Sequence, residues 1–471
     1  MSGPRFLIVR LPCRKIYPVG PVYLASLIRR AAPDSDLHLL DLAVIDPSKR
    51  KSVLREAVQR HRPQVLAFSW RDIQIFSPHD MDSAMRDSFT FFYDPSPFLK
   101  FKAAVNGLVD IVSYRGMLAH DFALIREASK ITGPDLIAVG GPSVKIFSEF
   151  LRPHLPGNVR LVLRTEDFFS LVGLPLPDNP LEPAIDIEAL EETFPQWSSY
   201  RGEEIGVQTK RGCPLNCLYC LYGFLEGKHM EQREPGRVAQ EVQDYHTRWE
   251  IKRFWFVDAQ LLSNRGDADH LEAILRQLLQ RRLDITWSGY LRINRLTTEL
   301  AGLMVKTGVK GLEIALNSGA QSVLDELRMG FSVEETMEGF RVLKSAGYRG
   351  EIKIDLALNS PGETRETLKE TLKVVQRVRN MGFDRVTPVI FFLAIQPNTG
   401  LEKKALESGH LKPGYSPISV WPQDVRKLIY NPPPLDKLVG RCCARAFRTK
   451  DAGGDEVLSC LAAELASPEI P

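Results

Sequence analysis

Short apolar runs that alternate with helical stretches constrain the fold of this chain more than any other feature. The runs do not alternate apolar with polar residues, which favours strands buried on both faces of a parallel sheet. Five of them occupy the first part of the chain, at 5–11, 37–42, 64–70, 135–141 and 159–164. Strand, helix and strand in series predict an α/β fold, here a doubly wound, Rossmann-like domain.

A second α/β series begins near residue 203, after a segment that contains five prolines. Six strand–helix repeats over about 200 residues are typical of a partial (β/α)6 TIM barrel, whose active site lies at the carboxyl ends of the strands. We therefore expect four parts: a Rossmann-like domain over 1–170, a linker over 171–200, a barrel over 201–405 and a short helical extension over 406–471.

A long insert separates the third and fourth strands of the first domain, over residues 73–118. It is rich in aromatic residues: Phe76, Phe89, Phe91, Phe92, Tyr93, Phe98 and Phe101. Long insertions in compact domains are often functional, so one interpretation is a lid over a ligand. The alternative is a local helical subdomain that packs on itself.

Composition narrows the functional classes. The 471 residues are enough for two or three domains, and the net charge of +3 is too balanced to favour nucleic acid or an anionic membrane as the main partner. No apolar run is long enough for a membrane span, and the N-terminus lacks the pattern of a signal peptide, so we expect a cytoplasmic protein. In that compartment the seven cysteines indicate metal or redox chemistry rather than disulfides.

Three of those cysteines lie within eight residues, in the stretch "GCPLNCLYCLYG". Cys213, Cys217 and Cys220 have C-x3-C-x2-C spacing on a loop just after the first predicted barrel strand. Thiolates suit iron–sulfur clusters and zinc, and a closed site normally has four protein ligands. Three ligands can hold a [4Fe–4S] cluster and leave one iron open to a small chelating molecule. The alternative is zinc, with His229 or His246 as the fourth ligand.

The cysteine spacing, with an aromatic residue before the third cysteine, resembles the radical S-adenosylmethionine (SAM) enzymes. The resemblance implies a [4Fe–4S] cluster and SAM as cofactors, and an external electron donor of the flavodoxin or ferredoxin type. It also implies SAM contacts from four residues, namely Tyr219, Asp258, Arg292 and Ser318.

Further along the barrel the resemblance continues with some departures. The segments "LNSPGET" (358–364) and "IQPNTGLEKKA" (395–405) match the fifth and sixth strand loops of this branch. Asn317 stands where the branch commonly has glutamate, and Asn294 stands where an acid is more usual. The resemblance rests on the order and spacing of these segments together rather than on any single segment.

The N-terminal domain resembles the cobalamin-binding branch of the same family, on the segments "YPVGPVYLASLIRRAAP" and "DLIAVGGPSVKIFSEFL". This implies a cobalamin site at the carboxyl edge of the sheet, with contacts from Ser69, Arg71, Gly140 and Gly141. The chain has no D-x-H-x-x-G, so no histidine of that motif would ligate cobalt. Arg71 would lie near the lower face of the corrin, in a subtype similar to tryptophan 2-C-methyltransferase-like proteins. The alternatives are a degenerate domain kept for packing and an Arg71 that pairs with an acid such as Asp72.

The combined resemblance implies a cobalamin-dependent methyltransferase, in which SAM cleavage yields a 5′-deoxyadenosyl radical and methylcobalamin supplies the methyl group. The acceptor would be an unactivated carbon of a small molecule, lipid, tetrapyrrole or peptide. Cyclisation or rearrangement on the same cofactors, and a non-catalytic cobalamin or redox sensor, stay open. A methylthiotransferase would need three further cluster cysteines, and the first domain has only Cys13. Nothing in the sequence indicates a nucleic-acid partner, and we expect the remaining cysteines, Cys442, Cys443 and Cys460, to be simple thiols rather than ligands of a second cluster.

Overall fold

The computed structural model describes residues 3–71, 82–131, 133–418, 426–446, 448 and 453–466. Its first half contains a parallel five-stranded sheet in the order β2-β1-β3-β4-β5. The strands are β1 (Arg5–Arg10), β2 (Asp36–Asp41), β3 (Val65–Ser69), β4 (Leu136–Gly140) and β5 (Val159–Leu161). These are the five predicted strands, and the order places the topological switch point between β1 and β3, where such sheets bind ligands.

Helices cover both faces of this sheet. They are α1 (Val19–Ala31), α2 (Arg50–His61), α3 (Asp82–Tyr93), α4 (Pro97–Ala128), α5 (Pro142–Leu151) and α6 (Thr165–Val172). The first helix lies between the two halves of the molecule, where the Tyr17 hydroxyl is 3.0 Å from that of Tyr245. One continuous hydrophobic core therefore runs from the first sheet into the second.

In the described residues, the predicted insert is helical apart from residues 94–96, which connect α3 to α4. Residues 72–81, including Phe76, lie outside the described residues. The last turns of α4 bury Phe122 and Ile125 in the core of the first sheet, as a normal crossover helix does. Helix α4 also contacts α3, which in turn packs against the C-terminal extension. The role of the insert as a lid stays a prediction.

The second half is a parallel six-stranded sheet in the order β13-β12-β11-β10-β9-β6, which confirms the predicted α/β class and the run of strand–helix repeats. Its strands are β6 (Ile205–Val207), β9 (Arg253–Phe256), β10 (Thr286–Tyr290), β11 (Val309–Asn317), β12 (Glu351–Ala357) and β13 (Arg385–Phe391). Two short antiparallel pairs accompany it, β7 (Lys210–Arg211) with β8 (Glu231–Gln232) and β14 (Leu393–Ala394) with β15 (Ile429–Tyr430).

Several α-helices also belong to the second half. They are α7 (Ile187–Thr193), α8 (Tyr222–Leu225), α9 (Pro235–Trp249), α10 (Arg265–Arg281), α11 (Thr298–Lys306), α12 (Gln321–Glu326), α13 (Val333–Ser345), α14 (Arg365–Asn380), α15 (Gly400–Glu407), α16 (Asp436–Ala446) and α17 (Gly454–Ala466). In the described residues, none of the helices is long and apolar enough to cross a membrane.

The segment predicted as a linker is packed rather than extended. Its second half forms α7 and a 3-10 turn, and Trp197 of that turn stacks on Trp249 with ring centroids 4.4 Å apart. The C-terminal extension consists of α16 and α17, and α17 contacts β13 and α14 of the barrel. Cys442, Cys443 and Cys460 are buried between these last two helices and the structure around them.

Candidate active site

The cysteine loop begins where β7 ends and is closed at its base by the pairing of β7 with β8. Gly212 has φ +96°, and a Cβ there would lie 2.0 Å from the carbonyl oxygen of His229, so only glycine fits. The Cys213 amide donates to the Gly227 carbonyl at 2.9 Å, which folds the loop back on itself. The loop is also fixed from outside, since the Leu218 amide donates to the Leu327 carbonyl at 2.9 Å.

The three cysteines line one cavity of about 400 Å³ at the carboxyl ends of the barrel strands. Burial raises the pKa of the Cys217 thiol to about 12, and the pKa values of Cys213 and Cys220 are raised by burial as well. Each of these thiols lies close enough to another to influence its titration. Because a ligating thiol must lose its proton, binding of a metal here would release protons.

The donor set fits a cluster better than zinc. His246 is committed elsewhere, with Nδ1 2.8 Å from the Ile251 carbonyl oxygen, and neither His246 nor His229 lines the cavity. Across the described part of the chain, no three His, Cys, Asp or Glu side chains are already drawn together as a closed metal site. The three thiols would hold three irons of a cluster and leave the fourth iron without a protein ligand.

Arg292 and Tyr219, two of the four predicted SAM residues, line the same cavity. Arg292 is only 6% exposed, its Nη2 donates to the Gly330 carbonyl at 2.5 Å, and its guanidinium lies 5.1 Å from the centroid of the Phe331 ring. Its Nη1 is buried without a hydrogen-bond partner. A buried, unsatisfied guanidinium nitrogen is costly unless a ligand such as a carboxylate accepts from it.

The other two predicted SAM residues face away from the cavity in this structure. Asp258 is buried and accepts from the amides of Thr209 at 2.8 Å and Lys210 at 3.2 Å. Its pKa is raised by burial. Ser318 is fully buried, and its hydroxyl lies 3.1 Å from that of Thr371. Asp258 therefore supports the start of the cysteine loop, and a direct contact of either residue with SAM stays a prediction.

Among the polar residues that line the cavity, sequence reasoning missed Gln260, Tyr290, Glu313 and Asp355. Oε1 of Gln260 is buried without a hydrogen-bond partner. Glu313 pairs with Lys353 at 3.1 Å, across the register of β11 and β12. Alternation along β12 places Asp355 on the same inner face as Lys353, a signal that was present in the sequence.

Asp355 is the most perturbed carboxyl of the cavity. Burial, with a smaller contribution from the nearby Glu313 charge, raises its pKa to about 7. Lys353 acts in the opposite direction but is already paired with Glu313. Aromatic side chains surround this polar floor, among them Tyr219 and Phe391, whose ring centroids are 5.9 Å apart. The cavity can therefore bind a molecule that is largely apolar and carries a polar group.

The predicted cobalamin residues come together at the carboxyl edge of the first sheet. Ser69 and Gly140 are register partners on β3 and β4, and Arg71 is exposed just beyond them. Gly141 has φ +104°, and a Cβ there would lie 2.7 Å from the Trp70 carbonyl oxygen. The fold itself thus requires glycine at position 141. A close approach of the Gly141 backbone to a ligand stays a prediction.

This edge faces the cysteine loop. Lys145 Nζ on α5 donates to the Leu225 carbonyl at 2.7 Å, at the end of α8. Burial raises the pKa of Tyr222 to about 12, and the Arg71 guanidinium is one of the charges that oppose this rise. Among the described residues, no carboxylate pairs with Arg71. The two candidate cofactor sites therefore lie on opposite sides of α8.

Comparison with known proteins identifies the kind of domain that the second half forms. Residues 207–388 match the family model described as the Radical SAM superfamily. They form a radical SAM domain. The predicted resemblance of the second half to the radical SAM family is confirmed. Cys213, Cys217 and Cys220 lie at the beginning of this domain.

Two solved structures have the same fold over most of the chain. TsrM from Kitasatospora setae, a radical SAM methyltransferase with cobalamin and a [4Fe–4S] cluster bound, is 16% identical, with a TM-score of 0.61 over 87% of this chain and 80% of TsrM. OxsB, a cobalamin-dependent radical enzyme with aqua-cobalamin and SAM bound, is 15% identical, with a TM-score of 0.54 over 90% of this chain and 56% of OxsB. The likeness confirms the predicted fold, including the Rossmann-like domain before the radical SAM barrel.

Curated relatives match shorter stretches. An uncharacterized methyltransferase of Pyrococcus horikoshii is 26% identical over 172 residues, 36% of each chain. The matches span 36–44% of the length of the first three curated relatives. They support the radical SAM domain and leave the activity of the whole protein to be proposed.

Proposed function

We propose that this radical SAM protein is a cobalamin-dependent methyltransferase that methylates an unactivated carbon of a small-molecule, lipid, tetrapyrrole or peptide substrate. One observation carries the proposal: the carboxyl edge of the Rossmann-like domain and the cysteine loop face each other across α8. Lys145 and Leu225 make the contact between them. A corrin and a cluster held on these two surfaces would both be within reach of one substrate cavity.

Cys213, Cys217 and Cys220 would hold three irons of a [4Fe–4S] cluster and leave the fourth iron to SAM. The cluster would supply the electron that cleaves SAM, and methylcobalamin would supply the methyl group. The electron itself would come from an external donor of the flavodoxin or ferredoxin type.

The chain's own residues bind, orient and exclude water. Nη1 of Arg292 is available to donate to a carboxylate of the bound SAM, and Gln260 offers a second unsatisfied atom. Tyr219, Phe331 and Phe391 enclose the cavity with apolar surface, which keeps water from reactive species. Asp355 and Glu313 are placed to accept hydrogen bonds from a polar group of the substrate.

Arg71 is proposed to lie under the lower face of the corrin. A guanidinium cannot donate an electron pair to cobalt, and its positive charge would disfavour axial ligation there. Replacement of Arg71 by alanine or lysine should weaken cobalamin binding or slow methyl transfer, whereas Arg152→Ala, an exposed arginine away from this edge, should do neither. Unchanged affinity and unchanged transfer in both Arg71 variants would remove this role.

The experiment that tests the function begins with metal content. The full chain is purified without oxygen, supplied with iron, sulfide and hydroxocobalamin, and analysed for iron, cobalt and zinc. About four irons per chain and one cobalt would support both cofactor sites. Iron without cobalt would contradict the cobalamin assignment, and zinc alone would contradict the cluster.

Product analysis then separates the remaining alternatives. With SAM and a reductant, the protein should form 5′-deoxyadenosine, and an accepted substrate should gain the mass of one methyl group. A product without added methyl would indicate cyclisation or rearrangement. No 5′-deoxyadenosine from a protein that contains both cofactors would indicate a sensor.

A further inference from the structure

Helix α4 carries a stripe of exposed apolar side chains on its outer face. The α4 stripe consists of Phe98, Phe101, Val105, Leu108, Val109 and Val112. Their exposed fractions range from 46% at Val105 to 73% at Phe98. At 100° per residue, all six fall within about 100° of the helix circumference. The stripe contains no charged residue.

The opposite face of the same helix is already occupied. Ala103 is 2% exposed and lies, at 100° per residue, about 170° around α4 from the centre of the stripe. In the described residues, the stripe therefore lies on the side of α4 opposite to its buried face. Monomeric proteins rarely expose a contiguous apolar surface of this size, and where one occurs it usually marks an interaction site.

The spacing of the stripe indicates what covers it. Phe98, Phe101, Val105, Leu108 and Val112 follow one another at intervals of 3, 4, 3 and 4 residues, which is the a/d pattern of a helix that packs along another helix. Read from the C-terminal end of the stripe, the intervals still alternate between 4 and 3 residues. A helix of this kind is complementary to a second copy of itself in antiparallel orientation, as a two-fold interface requires.

We propose that the α4 stripe is a homodimer interface in which two copies of α4 pack antiparallel. In the register that pairs a with d positions, Val105 faces Leu108 of the second copy and Phe101 faces Val112 of the second copy. The two-fold axis then passes between Asn106 and Gly107.

The area is adequate for a stable pair. A buried aromatic side chain contributes roughly 150–250 Å², and the stripe holds two that are at least 70% exposed, with four aliphatic side chains beside them. Each copy thus offers on the order of 700 Å², close to the ~800 Å² per partner of standard interfaces. Charged residues are depleted from the centre, as they are in such interfaces.

Sedimentation velocity of the full, cofactor-loaded chain from 1 to 50 µM tests the proposal. The wild type should sediment as a dimer at the upper end of this range. The double variant Val105→Glu, Leu108→Glu should sediment as a monomer with unchanged circular dichroism and thermal midpoint. Leu279→Glu, which changes a 41% exposed leucine on α10, should stay dimeric. A wild type that is monomeric at 50 µM, or a double variant that still dimerises, would overturn it.

Disulfide trapping tests the orientation. Val105→Cys mixed with Leu108→Cys should give a 105–108 cross-link on mild oxidation, identified by peptide mass spectrometry against the native thiols. A self-cross-link of Val105→Cys that dominates over the mixed one would contradict the antiparallel register. Flotation with phosphatidylcholine–phosphatidylglycerol vesicles completes the test, because a monomer that floats with the vesicles would show that lipid, rather than a second copy, covers the stripe.

Discussion

The hydroxyl of Tyr219 donates a 2.9 Å hydrogen bond to Oδ1 of Asn317. This bond joins the cysteine loop to the end of β11. The Asn317 side chain also donates from Nδ2 toward Sδ of Met329, at 3.4 Å. An amide can accept and donate at once, whereas the glutamate that the family commonly has here only accepts when ionised. Asn317 also has φ +63°, a conformation that asparagine tolerates better than most residues.

Replacement of Tyr219 by phenylalanine should weaken SAM binding severalfold and lower the free energy of unfolding by about 1 kcal/mol. The lost bond frees the loop that carries the cysteines from β11. The measurements are the SAM dissociation constant of the cluster-loaded protein and its thermal midpoint. Tyr415→Phe is the matched control, since its hydroxyl bonds to Glu402 away from the cavity. Equal SAM affinity in the two variants would argue against the role of Tyr219.

Alanine at Cys213, Cys217 or Cys220 should reduce bound iron sharply and abolish 5′-deoxyadenosine formation. Each loss leaves only two thiolates for a cluster that needs three. Iron analysis and chromatography of the SAM products provide the readouts. Cys443→Ala, a buried thiol of α16, should keep both iron and cleavage; SAM cleavage that survives in any of the first three variants would end the cluster assignment.

Asp355 should make the protein less stable as pH rises from about 4 to about 7. Its folded pKa of about 7 exceeds the value of about 3.9 expected in the unfolded chain, so the folded state retains a proton that the unfolded state has lost. This loss of stability is complete near pH 7 and stays constant at higher pH. The thermal midpoint of Asp355→Asn should fall less across this window than that of the wild type.

The effect of Asp355 is the difference between the wild type and Asp355→Asn in how the thermal midpoint varies with pH. A difference is needed because Glu363 is another buried carboxyl with a pKa of about 7, and it is present in both proteins. Glu351→Gln is the control on the same strand, where the carboxylate pairs with Arg385 at 3.1 Å. Parallel curves for wild type and Asp355→Asn between pH 4 and 7 would refute the assignment.

The ion pair of Arg10 and Asp41 should matter far more than a surface pair. The two groups lie 2.9 Å apart and are almost fully buried at the ends of β1 and β2, and Tyr200 hydrogen-bonds to both. Asp41→Asn leaves the arginine charge buried without a counterion, which costs about 3–5 kcal/mol. Urea unfolding measures the loss, and Glu203→Gln, which breaks the exposed Lys15–Glu203 pair, should cost at most about 1 kcal/mol.

Gly141→Ala should destabilise the Rossmann-like domain by about 1–3 kcal/mol, because φ is +104° there and the new methyl would meet the Trp70 carbonyl. Gly157→Ala is the control, since its Cβ would enter open space. Urea unfolding of the two variants provides the comparison, and equal stability would contradict this reason for the glycine.

Much of the candidate site follows from local sequence pattern. The cysteine spacing placed the loop correctly after the first barrel strand, and Arg292 and Tyr219 line the cavity as expected. The alternation of side chains along β9 also indicates an orientation of Asp258 that differs from the one implied by the family resemblance. Asp258 lies in phase with Phe254 and Phe256, which are buried on the outer face, so alternation indicates that its carboxylate turns away from the barrel interior.

Ser318 shows where such pattern reasoning ends. The β11–β12 register shifts between Ala315 and Asn317, and Asn317 has positive φ, so the alternation of the strand no longer determines the direction of the next side chain. Ser318 turns into the core toward Thr371.

The sequence by itself determined the strands, their parallel pairing and the site of the cysteine loop, because hydrophobic period and ligand spacing are properties of neighbouring residues. The tertiary structure decided which side chains at the strand ends share a cavity and which are buried behind it. It also decided that the α4 stripe faces outward, since whether an apolar face is covered depends on elements distant in the chain.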